Sequence, residues 1–259
     1  MRIALGLEYN GSLFSGWQSQ SNGRGVQDVL EHAIQQIAGH SIRVHAAGRT
    51  DTGVHALMQI IHFDTEASRP ITAWTRGVNA FLPETVRVCW AKHVDEGFHA
   101  RFSAVSRSYH YVLVNQTYAP AIQHDRVGWY HLPLDIAAMQ SAISYLQGQH
   151  DFSAFRASEC QAKSPIKTLH EASVQQHGQY IVFRFTANAF LHHQVRNMVG
   201  ALIYVGNQHY PAKQMQVWLA KRNRKNVPPT FSPNGLYLSG VGYNAEWALP
   251  ETSKTLIFM

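Results

Sequence analysis

Gly48-Arg49-Thr50-Asp51-Thr52-Gly53-Val54-His55 lies between two runs that read as strands, Ile42 to Ala47 and Leu57 to Asp64. A glycine-bounded segment between strands is a loop, and loops on a rigid sheet are where catalytic groups tend to sit. Arg49 stands two residues before Asp51 and His55 four after, company that favours an ionised carboxylate. The competing reading is a plain turn whose Asp and Thr side chains cap backbone amides. Either way the stretch is strand, loop, strand, and the flanking sequence supplies helices to cover it.

Upstream, Arg2 to Tyr9 alternates Ile3, Leu5, Leu7 and Tyr9 against smaller or polar residues, the period of a half-buried strand. Gly11 to Gly25 reads as a loop. Val26 to Ala38 sets Val26, Val29, Leu30, Ala33, Ile34 and Ile37 on one helical face, with Gly39 where a C-terminal cap is expected. Downstream, the pattern predicts a helix over Ile71 to Ala80 after Pro70, a strand through Val86, Val88 and Trp90, and another over Ser106 to Asn115.

The second half follows the same style. Asp135 can cap a helix carrying Ile136, Met139, Ile143 and Leu146 and ending near Gly148. Strands are expected at Lys167 to Gln175 and Tyr180 to Ala187. A long helix from about Phe190 to Val205 has Leu191, Val195, Met198, Val199 and Leu202 as its apolar stripe, with His192, His193, Arg196 and Asn197 on its other side. A helix at Gln214 to Lys221 and a strand at Leu236 to Tyr243 close the pattern. The expectation is an α+β chain of two α/β lobes forming one catalytic body. Residues 1–104 carry Asp51, and residues 105–259 carry Tyr109, Arg196 and Leu236.

Composition bounds the function. With 259 residues, 45% hydrophobic and 15% charged, the chain is far from disordered, collagen-like or coiled-coil sequences. No run approaches the roughly 20 apolar residues of a membrane helix. The start alternates instead of presenting a basic segment and an apolar block, so a soluble protein without an export signal is expected. Cys89 and Cys160 are too few for a disulfide framework, which agrees with a reducing cytoplasm. The net charge of +6, built from 15 Arg against 7 Lys, leans toward a polyanionic partner, since a guanidinium makes planar, bidentate contacts to phosphates and bases.

Several chemistries lose their signatures. No Lys follows Gly53, as a phosphate-cradling loop requires. The 16 histidines include no His-Glu-x-x-His and no Cys/His quartet, and adjacent His192 and His193 should point in different directions from a helix, so no metal is expected. Gly-x-Ser-x-Gly and Gly-x-Gly-x-x-Gly after a strand are absent too. Asp51-Thr52-Gly53 matches the aspartic protease triplet, which one chain could contribute to a dimeric dyad. Such a dyad shares a proton in apolar surroundings, however, and Arg49 opposes that. Two further positions stand out. Arg196 interrupts an apolar helix, and Tyr109 shares a strand face with Tyr111, where packing alone is the ordinary explanation.

The combination of motifs resembles the bacterial tRNA pseudouridine synthase A family over nearly the whole chain. It is carried by Ala4-Leu5-Gly6-Leu7-Glu8-Tyr9-Asn10-Gly11, Phe14-Ser15-Gly16-Trp17-Gln18, Gly48 to His55 and Phe98-His99-Ala100-Arg101-Phe102-Ser103-Ala104. It continues through Asp151-Phe152-Ser153-Ala154-Phe155-Arg156, Phe190 to Gly200, and Gly235-Leu236-Tyr237-Leu238.

The resemblance implies the pseudouridine synthase fold, with two lobes sharing a central, largely antiparallel sheet and a cleft between them. It implies an isomerase that converts uridine at positions 38, 39 and 40 of the tRNA anticodon stem-loop, without a redox cofactor or nucleotide, working as a homodimer. Asp51 matches the essential aspartate, acting as nucleophile at C6 or C1′ or as the base for the C2′ proton, and Arg196 matches the arginine paired with it. Tyr109 matches the tyrosine that stacks on the uracil, Leu236 an apolar residue lining the base pocket, and Arg49 a residue holding the flipped state open. Gln194 stands where relatives often carry Met, and Thr52 where Ala is common. The rival reading is a noncatalytic RNA-binding protein using the same basic surface. No role is assigned to the tail Glu251 to Met259.

Overall fold

The computed structural model describes residues 1–21 and 23–255. It is a mixed α/β structure built on a central, largely antiparallel sheet. In chain order the elements are β1 (Arg2–Tyr9), α1 (Val26–Ala38), β2 (His45–Ala46), β3 (His55–Asp64), α2 (Arg76–Phe81), β4 (Val86–Val94), β5 (Ala104–Asn115), β6 (Gly128–Tyr130), α3 (Ile136–Ser144), β7 (Gly148–Asp151), β8 (Ile166–His177), β9 (Tyr180–Ala187), α4 (Gln194–Gly206), α5 (Gln214–Lys221) and β10 (Leu236–Tyr243). Two compact units result, Met1–Arg107 with the chain from Tyr237 onward, and Ser108–Leu236. Among the described residues no helix is long and apolar enough to cross a membrane.

In the first unit the strand order is β4-β1-β3-β10, with β2 also on β3. β1 runs antiparallel to both neighbours and sets Arg2 opposite Asp64, where the two side chains form a bidentate ion pair at 2.8 Å. Ile3, Leu5 and Leu7 are wholly buried, as are Ile61, Phe63 and Trp74, and each such side chain contributes about 1.5–3 kcal/mol by leaving water. Gly6 is needed in β1 because a Cβ there would lie 2.2 Å from the indole nitrogen of Trp90.

The sequence division at 104/105 assigns β10 to the second lobe. Its Tyr237 and Leu238 pair in parallel with His55 and Ala56 of β3, which ties the end of the chain to the first unit. The tail continues this attachment. Val241 N–H donates to Thr252 O, Lys254 N–H to Ser239 O, and the Lys254 ammonium reaches Glu8 at 3.0 Å. Residues 256–259 lie outside the described residues.

In the second unit the order is β5-β9-β8-β7, with β6 parallel to β5. α3 packs on β8 and on α4. Asp135 caps α3 by accepting the Ala138 N–H at 2.9 Å, and Gly206 of α4 lets Met139 approach, since a Cβ would sit 2.5 Å from its sulfur. Met198, Val199, Leu202, Phe183, Phe185 and Trp218 are buried in this core.

Three expectations are corrected. The run Ile42 to Ala47 forms a ladder only at His45–Ala46, because the Val44 N–H is taken by the Glu31 carboxylate of α1 at 2.9 Å. The Ile71 to Ala80 helix divides at Thr75 into a 3-10 turn, Ile71–Trp74, and α2. The long helix begins at Gln194 rather than Phe190. Here His193 takes a left-handed φ of 61°, and the buried Gln194 side chain folds back to accept the Leu191 N–H at 2.8 Å.

Candidate active site

The Asp51 loop, residues 47–54, belongs to the first unit, and its main chain is fastened at nearly every step. Ala47 N–H donates to Ile60 O at 2.8 Å, and the Arg107 guanidinium donates to Ala47 O at 3.0 Å. The buried Gln59 amide bridges Gly48, giving its NH2 to the carbonyl at 2.6 Å and accepting the N–H at 3.4 Å. Trp17 N–H donates to Thr50 O at 2.9 Å, and the Thr50 hydroxyl shares a buried hydrogen bond of 2.8 Å with Tyr9 OH. Burial pushes the Tyr9 phenol up to about 12, with the bond from Thr50 opposing, so this anchor is neutral.

Two glycines make the close approach possible. Gly16 sits at φ 93°, and a Cβ on it would stand 2.7 Å from Thr50 O; a Cβ on Gly11 would lie within 2 Å of Val54 O. Gly11 N–H donates to Nδ1 of buried His55 at 3.1 Å, and the His55 ring stacks on Tyr237 with centroids 4.7 Å apart. Within the loop, Val54 N–H donates to Asp51 O at 3.1 Å and Gly53 turns the chain at φ 78°. The Tyr9-Asn10-Gly11 and Gly16-Trp17 motifs are therefore the scaffold of the Asp51 loop, a role that sequence reading did not give them. Asp51 is half-buried and Arg49 exposed.

The second unit carries Tyr109, Arg196 and Leu236. Tyr109 is 8% exposed, and its ring meets Phe190 edge-on at 5.1 Å. Tyr111 is the packing residue of the pair: it is wholly buried, donates its hydroxyl to Ser232 O at 2.9 Å, and lies so close to Gly128 that a Cβ there would overlap it. Leu236 opens β10, 5% exposed, with its N–H on Pro233 O.

Arg196 lies in the first turn of α4. Its Nε donates to Phe231 O at 2.9 Å, and Phe231 N–H returns a bond to Arg196 O at 3.3 Å, so the guanidinium is aimed from a fixed stem. Asn197, expected on the polar side, is wholly buried instead. Its amide donates to Phe155 O at 2.7 Å and its oxygen accepts from the Thr230 hydroxyl at 2.7 Å and from Arg224 at 3.1 Å.

Arg224 also donates to Val227 O, Pro228 O and the Thr230 hydroxyl, four neutral oxygens in all, and burial lowers its pKa. It thus folds residues 224–231 against α4, where Gly200 is required because a Cβ would stand 2.4 Å from Pro229 O. Sequence reading missed Arg224 and Thr230; the one signal was a polar Asn197 leading into the apolar pair Met198-Val199. The rings of His192 and His193, expected to diverge from a helix, lie tilted against each other with centroids 4.0 Å apart because the left-handed His193 precedes the helix.

A family model described as tRNA pseudouridine synthase matches residues 7–103 and 142–244, segments that contain Arg49, Asp51, Arg196 and Leu236 but not Tyr109. A protein from Methylobacillus flagellatus named tRNA pseudouridine synthase A is 62% identical over 256 residues, covering 99% of this chain and 98% of that protein. Proteins of the same name from Aromatoleum aromaticum and Chromobacterium violaceum are 56% and 57% identical, covering 99% and 97% of this chain and 97% and 96% of theirs.

Proposed function

The chain belongs to the tRNA pseudouridine synthase family and is an enzyme that isomerises uridine to pseudouridine in tRNA, and from that premise we propose that it acts on uridines 38, 39 and 40 of the anticodon stem-loop with Asp51 as its essential carboxylate. The reaction breaks N1–C1′, turns the uracil while it is held, and joins C5 to C1′. The proton lost from C5 balances the one gained at N1, so neither oxidant nor cofactor is required.

The uridine must first leave its stack, at a cost of a few kcal/mol. Tyr109, its ring set by Phe190, stacks on the extruded uracil, which is worth about 1–3 kcal/mol. Leu236 supplies an apolar wall, and exposed Arg49 holds the strand beside the vacated space. Asp51 acts as nucleophile at C6 or C1′, or as base for the C2′ proton. Arg196, with Nε committed to Phe231, is the guanidinium assigned as partner of that carboxylate. The enzyme works in the cytoplasm as a homodimer, one tRNA lying across both subunits.

The observation that carries this reading is the fastening of the Asp51 loop by Tyr9, Trp17, Gln59 and Arg107, which fixes the main chain around one acid at the start of an interior strand. The test is pseudouridine mapping on an unmodified tRNA transcript with no added cofactor, with Asp51→Asn in parallel. Conversion confined to positions 38–40, lost by at least ~10³-fold in the variant while tRNA binding stays within a few-fold, is expected. Turnover by Asp51→Asn, or conversion elsewhere, would sink it.

A further inference from the structure

The segment 98–104 of the first unit combines two properties that rarely meet, a main chain fixed at almost every polar atom and a large aromatic side chain left in water. Phe98 O accepts from Arg2 at 2.8 Å; Ala100 N–H donates to His62 Nδ1 at 3.1 Å, and Tyr243 OH donates to Ala100 O at 2.6 Å. His99 and Ser103 exchange two bonds, His99 N–H to the Ser103 hydroxyl at 3.0 Å and Ser103 N–H to His99 O at 2.9 Å. His99 Nδ1 accepts both Arg101 N–H and Phe102 N–H, while Arg107 donates to Arg101 O at 2.7 Å and Ala104 O at 3.1 Å. Phe98 itself is buried against Tyr243 and Trp247.

On this frame Phe102 is 75% exposed. The His99 ring lies 4.3 Å from its ring and the Arg101 guanidinium 5.7 Å from its centroid. A free loop would fold such a side chain down against the sheet; here the backbone bonds hold it out.

We propose that Phe102, backed by His99 and flanked by Arg101, is a stacking platform for an unpaired base of the RNA substrate. The inference rests on the tRNA reading above and deepens it, by naming a contact outside the residues that meet the reacting uridine. Unstacked bases of RNA loops settle on aromatic faces and guanidinium planes irrespective of sequence. Because the main chain beneath the ring is already fixed, receiving a base costs less entropy than on a free loop.

Charge decides between RNA and a second copy of the chain. Two copies meeting here would bring Arg101 near Arg101 in a protein of net charge +6, whereas a nucleotide brings a phosphate to it. Of the nearby acids, Asp64 forms the ion pair with Arg2 and Asp95 accepts the Gly97 N–H, and Asp64, Glu96 and Asp95 all raise the Arg2 pKa. Arg107, which holds the platform, also holds Ala47 O at the start of the Asp51 loop, so ring and catalytic loop share one anchor.

The test measures affinity for an unmodified tRNA transcript with the full chain and with Phe102→Ala, Phe102→Leu and Phe102→Trp, alongside sedimentation of each protein and conversion by the wild type. Phe102→Ala and Phe102→Leu should bind about 5- to 100-fold more weakly, and Phe102→Trp within about 2-fold of wild type. The slope of log affinity against log salt should stay unchanged in the Phe102 variants, because the phosphate contacts remain.

Wild-type affinity in Phe102→Ala overturns the platform, and so does recovery by Phe102→Leu, which would mean apolar burial and not stacking. A change of sedimenting mass assigns the ring to contact between copies and overturns it as well. Failure of the wild type to convert tRNA would count against the function proposed above, while the affinity series still judges the platform.

Discussion

The loop that holds Asp51 and the loop that braces Arg196 at the start of α4 are built on opposite principles. The Asp51 loop is fixed from outside: Tyr9, Trp17 and Arg107 each take one main-chain or hydroxyl group and Gln59 takes two, from three separate strands and one preceding loop, and glycines at 11 and 16 let that backbone come within contact. The loop that aims Arg196 is fixed from within. One half-buried guanidinium, Arg224, gathers oxygens from Asn197, Val227, Pro228 and Thr230 and folds its own segment against α4. Distributed anchoring places a short side chain accurately, since Asp51 has little reach of its own. Central anchoring suits a long side chain such as Arg196, whose Nε bond to Phe231 O then fixes its direction.

The strongest way to break this contrast is Gly16→Ala. The residue sits at φ 93° and its new Cβ would stand 2.7 Å from Thr50 O, so the loop must move. A displacement near 1 Å at a reacting group costs on the order of 10²-fold, and kcat/KM for tRNA should fall by about that much with tRNA affinity nearly unchanged. Activity within a few-fold of wild type would show that the loop is looser than its bonds imply.

Arg224→Met tests the other side. Removing the donor strands the Val227 and Pro228 carbonyls, while the Thr230 hydroxyl still donates to the Asn197 oxygen, and should lower unfolding stability by about 2–3 kcal/mol. It should also lower kcat more than it raises KM, because Arg196 loses its fixed stem. Arg224→Lys, a point charge in place of a planar fork, should recover less than half of either loss. Full rescue by Lys, or loss of stability with kcat intact, would remove Arg224 from the positioning of Arg196.

How much of this was legible follows from which forces act locally. β1, α1, β9, α5 and β10 appear where alternation and helical periodicity place them, because their burial is set by their own side chains. Asp51, Arg196 and Leu236 stood out through motif and resemblance. What sequence did not disclose is what depends on partners far along the chain. Val44 gives its N–H to Glu31, and Asn197 is buried because Phe155, Thr230 and Arg224 satisfy it. The role of Gly11 and Gly16 is equally nonlocal, since a glycine's need for space is visible only when its neighbour is known.

A last comparison sets the two units side by side through acid. His62 of the first unit and His110 of the second are both buried, and burial foremost holds them neutral, lowering their pKa values to about 3 and about 4. His62 is further lowered by His99, Arg2 and His45, and its Nδ1 accepts the Ala100 N–H, while His110 is lowered by Arg184. In the unfolded chain a histidine titrates near 6.5, so below that pH the unfolded state binds the extra proton. The stability each contributes is therefore complete above pH ~6.5 and is lost as pH falls, by about 2 kcal/mol per histidine at pH 5. The loss ends near pH 4 for His110 and continues toward pH 3 for His62, which makes the first unit the one that goes on weakening. Urea unfolding between pH 7 and 4 should show this decline, and His62→Asn, which can still accept the Ala100 N–H, should remove roughly half of it. A midpoint that stays level from pH 7 to 5 would mean that both rings already carry protons in the folded protein or remain accessible to water.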